Sequence, residues 1–330
     1  MSDVRLSFCI PTYNFGAFIG ETLESIITQA GDEVEIIVGD GASTDNTQQV
    51  VRGYQSSFPR LFYYRFEEKG GIDLDLAKTV ELSRGDYCWL MSSDDVLRPG
   101  AIQCVLEEIK LGHDVYLCNR TVCDRNLRPK RYSNLWLSNR MSGRVFYFSD
   151  KPDLLDYLNA SQSIGALFSY VSSIVVRRNK WNEIGYDVRF GRSNYAHVFR
   201  LFSFLQISGT SLKYIKKQLV LFRGDNDSFR DKGYANRFLI DFDGYRHLGE
   251  CLFPDEDVRN AFKAVMRREH KYYFLPRLKS EVDDELKWNE LEKSLSYYGY
   301  SSWEMFFINR LGASQIFVGM ARSLKRLLRI

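Results

Sequence analysis

Along the first 120 residues of the chain, short apolar runs alternate with segments in which apolar residues recur every three or four positions. Short apolar runs between turn residues predict buried strands, and the longer spacing predicts amphipathic helices. Strands are predicted at residues 6–10, 34–38, 61–66, 87–91 and 115–117, and a helix is predicted after each of the first four. Strands joined by crossover helices predict an α/β fold with a mostly parallel sheet flanked by helices.

Beyond about residue 120 the alternation becomes less regular. Residues 171–176 and 218–223 are predicted to form further strands, with a helix over about residues 194–206 between them. From residue 233 onward, charged and aromatic stretches predict successive helices. A turn-rich run at residues 224–232 separates the two patterns. The sequence therefore predicts a sheet-containing domain over residues 1–228 and a C-terminal helical region over residues 229–330.

Composition narrows the classes of protein that fit this pattern. The 330 residues are 45% apolar and 15% aromatic, which excludes a disordered or low-complexity chain. A formal net charge of +3 is too small for a dedicated nucleic-acid-binding protein, so no nucleic-acid partner is expected. The six cysteines form no Cys-x-x-Cys pair, and the N-terminus has no basic-then-apolar signal pattern. We expect a reduced, cytoplasmic protein.

Polar residues follow four successive predicted strands. The first strand leads into Thr12 and Asn14, the second into Asp40, and the fourth into Asp94 and Asp95. Acidic residues at 67 and 68 follow the third. In open α/β sheets ligands bind at the carboxyl ends of the strands, where loops present polar groups to a crevice. The predicted binding site therefore lies at this edge of the sheet.

The adjacent carboxylates of Asp94 and Asp95 are the strongest single feature of this edge. Two neighbouring carboxylates repel each other unless a cation or hydrogen-bond donors compensate. Mg²⁺ and Mn²⁺ take oxygen ligands, often one or two carboxylates together with phosphates of the substrate. The alternative interpretation is a solvated turn in which Asp95 caps the following helix.

The segment Gly39–Thr44 nearly matches the Gly-x-Gly-x-x-Gly pattern of dinucleotide-binding proteins. However, it follows the second strand and has Thr44 in place of the last glycine, so the match is a weak one. We expect Asp40 to face a base edge or a ribose hydroxyl, with the glycines allowing close approach of the backbone. The alternative is an ordinary strand-to-helix turn.

Taken together, four segments resemble glycosyltransferase family 2, whose members have a GT-A fold. The segments are residues 7–14, 37–47, 83–87 and 90–95, and the resemblance extends over about residues 5–225. Within the family, the chain is most similar to bacterial transferases of O-antigen assembly such as abequosyltransferases. Ser92 departs from the family pattern, because many members have there the first aspartate of an Asp-x-Asp motif.

The resemblance implies a role for most of the strand-end residues. A nucleotide-sugar donor is expected to lie against them, with its diphosphate on a bound Mn²⁺ or Mg²⁺ ion. Arg223 is expected to face a phosphate. The alternative is that it is a surface arginine at a strand end. The implied donor-binding residues are Pro11, Thr12, Tyr13, Asp40, Asp73, Asp94 and Arg223, and the implied metal ligands are Asp94 and Asp95.

The catalytic base is the point at which the family pattern fails. Members usually have an aspartate just before a helix that ends in an arginine, and Asn194 occupies that position here. An amide cannot accept the proton of the acceptor hydroxyl, so another group must do so. His197, one helical turn further on, is the first candidate, and Asp187 is the second. The alternative for His197 is a structural histidine within the helix.

The last twenty residues contain four basic residues and no acidic one. An apolar stripe opposite a basic stripe is typical of a helix that lies in an anionic membrane interface. We therefore expect this helix to hold the protein at the cytoplasmic face of the inner membrane. The alternative is a helix docked on the protein's own core. The apolar stripe is Ile316, Met320, Leu324 and Leu327, and the basic one is Arg322, Lys325, Arg326 and Arg329.

The residues and the resemblance together predict an inverting, metal-dependent glycosyltransferase, the inversion being implied by the resemblance alone. It would move a sugar, for example a dideoxyhexose such as abequose, from a nucleotide-diphosphate donor to a lipid-linked saccharide of O-antigen or another surface polysaccharide. One alternative is a nucleotidyltransferase, although residues 12–16 lack the basic groups of a phosphate loop. Another is a non-catalytic, membrane-associated scaffold, suggested by Ser92 and Asn194.

Overall fold

The structure is a computed structural model that describes residues 4–130, 135–226, 234–282 and 284–312. The chain divides into two compact units. The first comprises Met1–Ser161 and Gly165–Asp225, and the second comprises Gln162–Ile164 and Asn226–Ile330. The predicted domain border at 228/229 and the predicted amphipathic helix at the C-terminus lie outside the described residues.

A mixed sheet forms the centre of the first unit. Its strands are β1 (Leu6–Thr12), β2 (Val34–Asp40), β3 (Leu61–Arg65), β4 (Tyr87–Leu90), β5 (Val96–Leu97), β6 (Val115–Cys123), β7 (Val145–Phe146), β8 (Ile174–Arg177) and β9 (Leu212–Arg223). Over the described residues the strand order is β3-β2-β1-β4-β8-β6-β9-β5, with β7 beside β9. The two-residue strands β5 and β7 are too short to produce a periodic pattern, which is why the sequence does not predict them.

The directions of the strands divide the sheet into two parts. Strands β1 to β4 pair in parallel, as predicted. Strand β8 lies antiparallel between β4 and β6, and β9 is parallel to β6. The α/β class is thus confirmed, whereas the sheet as a whole is mixed. An apolar run identifies a buried strand without fixing its direction, because both faces of the strand are covered in either case.

Helices cover the sheet, and every residue of β1, β2 and β4 is buried beneath them. Phe8 and Trp89 stack on neighbouring strands with their ring centroids 5.1 Å apart. Such continuous burial explains why these strands have uninterrupted apolar runs instead of an alternating pattern. The helices of this unit are α1 (Ile19–Ile27), α2 (Thr47–Gln55), α3 (Gly71–Glu81), α4 (Ala101–Ile109), α5 (Lys151–Ala160), α6 (Arg178–Glu183) and α7 (Ala196–Leu205).

The second unit is helical in its described part, which confirms the predicted C-terminal helical region. Tyr298 donates a hydrogen bond of 2.6 Å to the carbonyl oxygen of Phe242 in its core. Among the described residues, no helix combines the length and the apolar character that a membrane span requires. The helices are α8 (Tyr234–Leu252), α9 (Glu256–Glu269), α10 (Pro276–Ser280), α11 (Glu285–Tyr297) and α12 (Ser302–Gly312).

A buried carboxylate holds the start of the parallel strands together. Glu35 in β2 is fully buried and accepts hydrogen bonds from Ser7 Oγ at 2.7 Å and from the backbone N–H of Arg84 at 2.6 Å. The guanidinium of Arg84 also binds Glu35, but its side chain is 63% exposed. The carboxylate is therefore the acceptor for the buried hydroxyl of Ser7 and for the backbone N–H of Arg84.

We expect Glu35→Ala to lower the free energy of unfolding by about 3 kcal/mol, because it leaves these buried donors without an acceptor. Chemical denaturation followed by circular dichroism measures the change. Arg84→Ala is the control, and it should cost less than about 1 kcal/mol because its ion pair is largely exposed to solvent. Equal losses in the two variants would contradict this assignment.

Candidate active site

The predicted strand-end residues meet at one edge of the sheet. The parallel strands β1, β2, β3 and β4 all end there. Strand β8 begins at the same edge because it is antiparallel to β4, and β6 and β9 end at it. Since β2 and β4 both pair with β1, the two strands lie about 10 Å apart across the sheet, twice the spacing of neighbouring strands.

The loops after β1 and β2 are held together by Asn14. Its side-chain oxygen accepts a hydrogen bond of 2.7 Å from the N–H of Thr44, and its own N–H donates to Ser43 Oγ at 2.8 Å. Asn14 has a φ of 58°, a left-handed conformation that asparagine tolerates better than most residues. This connection fixes the backbone of the segment Pro11–Tyr13, the predicted lining of the nucleotide pocket.

Thr12 and Tyr13 differ in their surroundings. Thr12 Oγ1 is buried and has no hydrogen-bond partner among the described residues. Lys69 lies in the loop after β3, and its ammonium group is 3.8 Å from the centroid of the Tyr13 ring. A cation at this distance is attracted by the face of the ring. The site thus includes Lys69, a positive charge that the sequence analysis did not identify.

Asp40 at the end of β2 is fully buried. Its carboxylate accepts hydrogen bonds from the Ser43 N–H at 2.8 Å and from the Tyr63 hydroxyl at 2.5 Å, and Arg65 lies 3.7 Å away. Burial, together with the hydrogen bond to Asp40, raises the pKa of Tyr63 to about 12, so the phenol stays protonated and donates. A carboxylate has about four acceptor positions, so these two hydrogen bonds do not occupy all of them.

The two aspartates after β4 have different environments. Asp95 is buried, and its carboxylate accepts hydrogen bonds from Tyr170 and Ser172, both at 2.6 Å, and from the Arg223 N–H at 3.0 Å. Burial, followed by the charge of Asp94, raises the pKa of Asp95 to about 7. Asp94 instead accepts a hydrogen bond from Ser92 in the same turn. The turn therefore directs Asp95 into the protein.

Arg223 stabilises the turn after β4 through hydrogen bonds. Its side chain is 3% exposed, and Nε donates to the carbonyl oxygen of Asp94 at 2.8 Å. Its other nitrogens bind the carbonyl oxygen of Arg125 at 2.7 Å and the carboxylate of Glu21 at 3.0 Å. The alternative of a surface arginine at a strand end is therefore wrong. The guanidinium has five N–H groups, so further donors are available for a phosphate.

The carboxylates in the turn after β4 fit one kind of metal site. In the described part of the chain, no three His, Cys, Asp or Glu side chains come together in a way that would hold a metal ion. Asp95 is the more deeply buried of the two carboxylates and already accepts three hydrogen bonds from the protein, so Asp94 is the carboxylate of this turn that is better placed to hold an ion. Such an arrangement suits Mg²⁺ or Mn²⁺ held by one carboxylate together with substrate phosphates and water.

Asp73 has a structural role that the sequence analysis did not predict. From the first turn of α3 it accepts hydrogen bonds from the N–H groups of Asn194, at 2.8 Å, and Ala196, at 3.0 Å. These N–H groups lie at the start of α7, whose unpaired donors favour a negative charge. Burial raises the pKa of Asp73, and these hydrogen bonds oppose that shift. Asp73 thereby holds the segment that contains Asn194 at the active-site edge.

The two candidate bases, His197 and Asp187, line the same cavity as Asp73. The cavity has a volume of about 10 Å³, enough for about one water molecule. His197 is buried and donates from Nε2 to the carbonyl oxygen of Phe168 at 2.9 Å. Its other nitrogen, Nδ1, is also buried and has no hydrogen-bond partner among the described residues. Asp187 is half-buried, and Arg189 lies 2.6 Å from its carboxylate.

Burial lowers the pKa of His197 to about 4. The unfolded chain takes up this proton near pH 6.5, so the stability that neutral His197 contributes is present above that pH and is lost as the pH falls towards 4. Between pH 7.5 and 5 we expect this group to lower the free energy of unfolding by about 2 kcal/mol.

Denaturation of the wild type and of His197→Gln at both pH values measures this contribution. The variant should lose less stability on acidification than the wild type. His247→Gln, at an exposed position of α8, is the control and should respond to pH like the wild type. An identical pH response in His197→Gln would mean that His197 titrates normally.

Several site residues have no local signal in the sequence. Lys69, Tyr63 and Arg65 follow or belong to β3, and Tyr170 and Ser172 precede β8. Ser172 reaches Asp95 across 77 residues of sequence. Only their positions within or next to predicted strands could have identified them, because ligands bind where strands end at this edge of the sheet.

Comparison with known proteins identifies the family of this chain. The model of the family described as Glycosyl transferase family 2 matches residues 7–187. Abequosyltransferase RfbV of Salmonella typhimurium strain LT2 is 36% identical over 276 residues, which cover 82% of each chain. The GalNAc(5)-diNAcBac-PP-undecaprenol beta-1,3-glucosyltransferase of Campylobacter jejuni is 25% identical over 180 residues, covering 54% of this chain and 55% of that protein.

A solved structure shows the same fold. Residues 1–349 of S. aureus TarS, in complex with UDP-GlcNAc, superpose with a TM-score of 0.63 at 15% identity, covering 89% of this chain and 80% of that one. The predicted GT-A fold is thus confirmed. The part of the chain that the family model matches includes Asp40 and Asp94, whereas Arg223 lies beyond it. The chain belongs to glycosyl transferase family 2 and is a glycosyltransferase.

Proposed function

We propose that the protein transfers a sugar, with inversion, from a nucleoside diphosphate donor to a saccharide acceptor in the synthesis of a surface polysaccharide. The observation that carries the proposal is the placement of Asp40 and Asp94 at the ends of β2 and β4, on either side of β1. Strand β1 lies between β2 and β4, so a nucleoside diphosphate lying across the end of β1 would reach both carboxylates.

In this arrangement the base of the donor lies against Asp40 and the segment Pro11–Tyr13. A base N–H would donate to Asp40, which Tyr63 and the Ser43 N–H hold in place. Thr12 Oγ1, buried without a protein partner among the described residues, offers a further hydrogen bond to the nucleoside. Lys69 supplies a positive charge beside Tyr13 for the donor's phosphates.

The diphosphate would lie at the turn after β4. Asp94 would hold Mn²⁺ or Mg²⁺ there, and Asp95, the second predicted ligand, would contribute mainly by positioning the turn. The ion, when bound, neutralises the negative charge that develops on the departing phosphate. Arg223 fixes the carbonyl oxygen of Asp94 and offers its remaining N–H groups to the phosphates.

Of the two candidate bases, Asp187 fits the acceptor side better than His197. A general base needs an accepting atom within reach of the acceptor hydroxyl. Asp187 has a partly exposed carboxylate, whereas the accepting nitrogen of His197 is buried. We therefore propose Asp187 as the base. Asp73 positions the adjoining start of α7.

The acceptor and the sugar are proposed from the relatives. RfbV is named an abequosyltransferase, and the Campylobacter enzyme is named for a saccharide linked to undecaprenol through a diphosphate. A dideoxyhexose such as abequose and a lipid-linked saccharide are accordingly the proposed donor sugar and acceptor. The basic segment over residues 313–330 would hold the enzyme at the cytoplasmic face of the inner membrane, where such acceptors are found.

Thermal unfolding with a panel of nucleoside diphosphates, each with and without Mn²⁺, tests the donor site. The correct diphosphate should raise the melting temperature, and Mn²⁺ should increase that shift. Transfer from the matching nucleotide sugar then tests catalysis.

A second candidate, a non-catalytic scaffold, is suggested by Ser92 and Asn194, and it would bind the diphosphate without hydrolysing or transferring the donor sugar. Absence of any nucleotide-dependent shift would contradict both.

A further inference from the structure

The second unit exposes a cluster of aromatic side chains that its own core does not use. Phe274, Trp303 and Phe306 have exposed fractions of 66%, 61% and 65%. Tyr272 links the turn at Tyr272–Phe274 to helix α12, since its ring centroid lies 5.6 Å from that of Trp303 and 5.4 Å from that of Phe307. We call Tyr272, Tyr273, Phe274, Trp303, Phe306 and Phe307 the aromatic cluster.

Helix α12 has two different faces. Glu304, Ile308 and Gly312 are buried against the rest of the unit. Trp303, Phe306 and Arg310 point to the other side, at the spacing of three and four residues that places them on one helical face. A helix that needed a single buried face for folding would have polar residues on its outer side. The outer face of α12 instead combines large aromatic rings with a basic residue.

The charge around the aromatic cluster favours one kind of partner. Lys271 and Arg310 are exposed beside the rings. The acidic residue of α12, Glu304, is buried on the opposite face, where Arg267 lies 2.7 Å from its carboxylate. Directly after α12, residues 313–330 contain four basic residues and no acidic one. Exposed aromatic rings flanked by basic groups match the interface of a bilayer that contains anionic lipids.

We propose that the aromatic cluster is a membrane-docking surface that inserts Trp303, Phe306 and Phe274 into the interfacial region of an anionic bilayer. Tryptophan and tyrosine favour this region because their rings are apolar while their N–H and O–H groups remain hydrated. The docking surface goes beyond the transfer reaction and also beyond the proposed role of residues 313–330. It gives the described part of the second unit its own contact with lipid.

The test uses the full-length chain and vesicles of phosphatidylethanolamine and phosphatidylglycerol in a flotation assay. We expect the double variant Trp303→Ser/Phe306→Ser to bind these vesicles at least about tenfold more weakly than the wild type, since it removes two rings from the apolar contact. The matched control is Leu286→Ser, which removes an apolar side chain that is 76% exposed on helix α11 of the same unit. The control should bind like the wild type.

A second measurement separates insertion from a structural effect. Brominated lipids quench tryptophan fluorescence at close range, so vesicles containing them should quench the wild type more strongly than Trp303→Phe. This variant keeps the ring and should still bind. Equal binding by the wild type and the double variant, or equal quenching in the wild type and Trp303→Phe, would overturn the proposal.

The proposal would also be overturned if something other than lipid covered the aromatic cluster, and there are two such alternatives. If residues 313–330 cover the rings, the double variant should bind vesicles as tightly as the wild type, because the rings would not reach the lipid in the full-length chain. If a second copy of the chain covers them, sedimentation should show a dimer that the double variant converts to monomer. Stabilisation by a nucleoside diphosphate and Mn²⁺ without lipid should be the same in the wild type and the double variant. Failure of the donor site is therefore distinguishable from failure of the docking surface.

Discussion

Replacing Asp94 by asparagine is expected to lower kcat/KM for sugar transfer by about three orders of magnitude, with little change in stability. The substitution removes the charge that would hold the metal ion against the donor diphosphate, an interaction that matters most when the phosphate departs. The amide keeps the size of the side chain and one acceptor for the Ser92 hydroxyl. The turn after β4 also retains the contacts that Asp95 and Arg223 make.

The measurement is the initial rate of transfer at several Mn²⁺ concentrations. A matched control is Asp86→Asn, which makes the same change of charge at an exposed position just before β4, at the opposite end of the strand. It should transfer sugar at the wild-type rate. Retention of metal-dependent activity by Asp94→Asn would show that the diphosphate is held elsewhere.

Replacing Asp40 by alanine should have the second-largest effect. We expect kcat/KM for the donor to fall about a hundredfold, because a hydrogen bond from a ligand to a buried carboxylate contributes more than a neutral one. The free energy of unfolding should also fall, by about 2 kcal/mol, because the Tyr63 hydroxyl and the Ser43 N–H lose their acceptor.

Calorimetric titration with the nucleoside diphosphate separates the two consequences, provided that circular dichroism shows the variant to be folded at the temperature used. Tyr63→Phe is the control. It removes one hydrogen bond to Asp40 and leaves the carboxylate in place, so it should lose about 1 kcal/mol of stability and keep most of its donor affinity. Unchanged affinity in Asp40→Ala would mean that Asp40 has a purely structural role.

Asp40 and Asp94 show which site residues can be predicted from the pattern next to each strand. Asp40 and Asp94 were predicted to lie at the active-site edge because each directly follows an apolar run, and the structure has them there. The same pattern assigned Asp95 to the metal, together with Asp94. Its inward orientation depends on Ser172 and Arg223, which lie 77 and 128 residues away in the sequence. No local spacing reports such contacts.

His197 and Asp73 show a different limit. The spacing of one helical turn from Asn194 made His197 a candidate base, but spacing does not indicate which face of α7 is buried. In the structure the His197 ring is buried and Nε2 donates to the carbonyl oxygen of Phe168, so neither ring nitrogen is open to an acceptor sugar. Donor contact by Asp73 stays a prediction. In the structure its carboxylate binds two N–H groups at the start of α7, more than 120 residues away in the sequence, and local pattern does not report these contacts.

The sequence by itself determined the α/β class, the positions of the main strands, the edge at which the site lies and the family resemblance. These properties follow from local periodicity and from residues that adjoin each strand, and both are written in short segments of the chain. The tertiary structure alone decided the antiparallel insertion of β8, the roles of Asp95 and Arg223 and the exposure of the aromatic cluster. Each of these depends on which distant surfaces pack together, because burial and hydrogen-bond partners are properties of the folded chain as a whole.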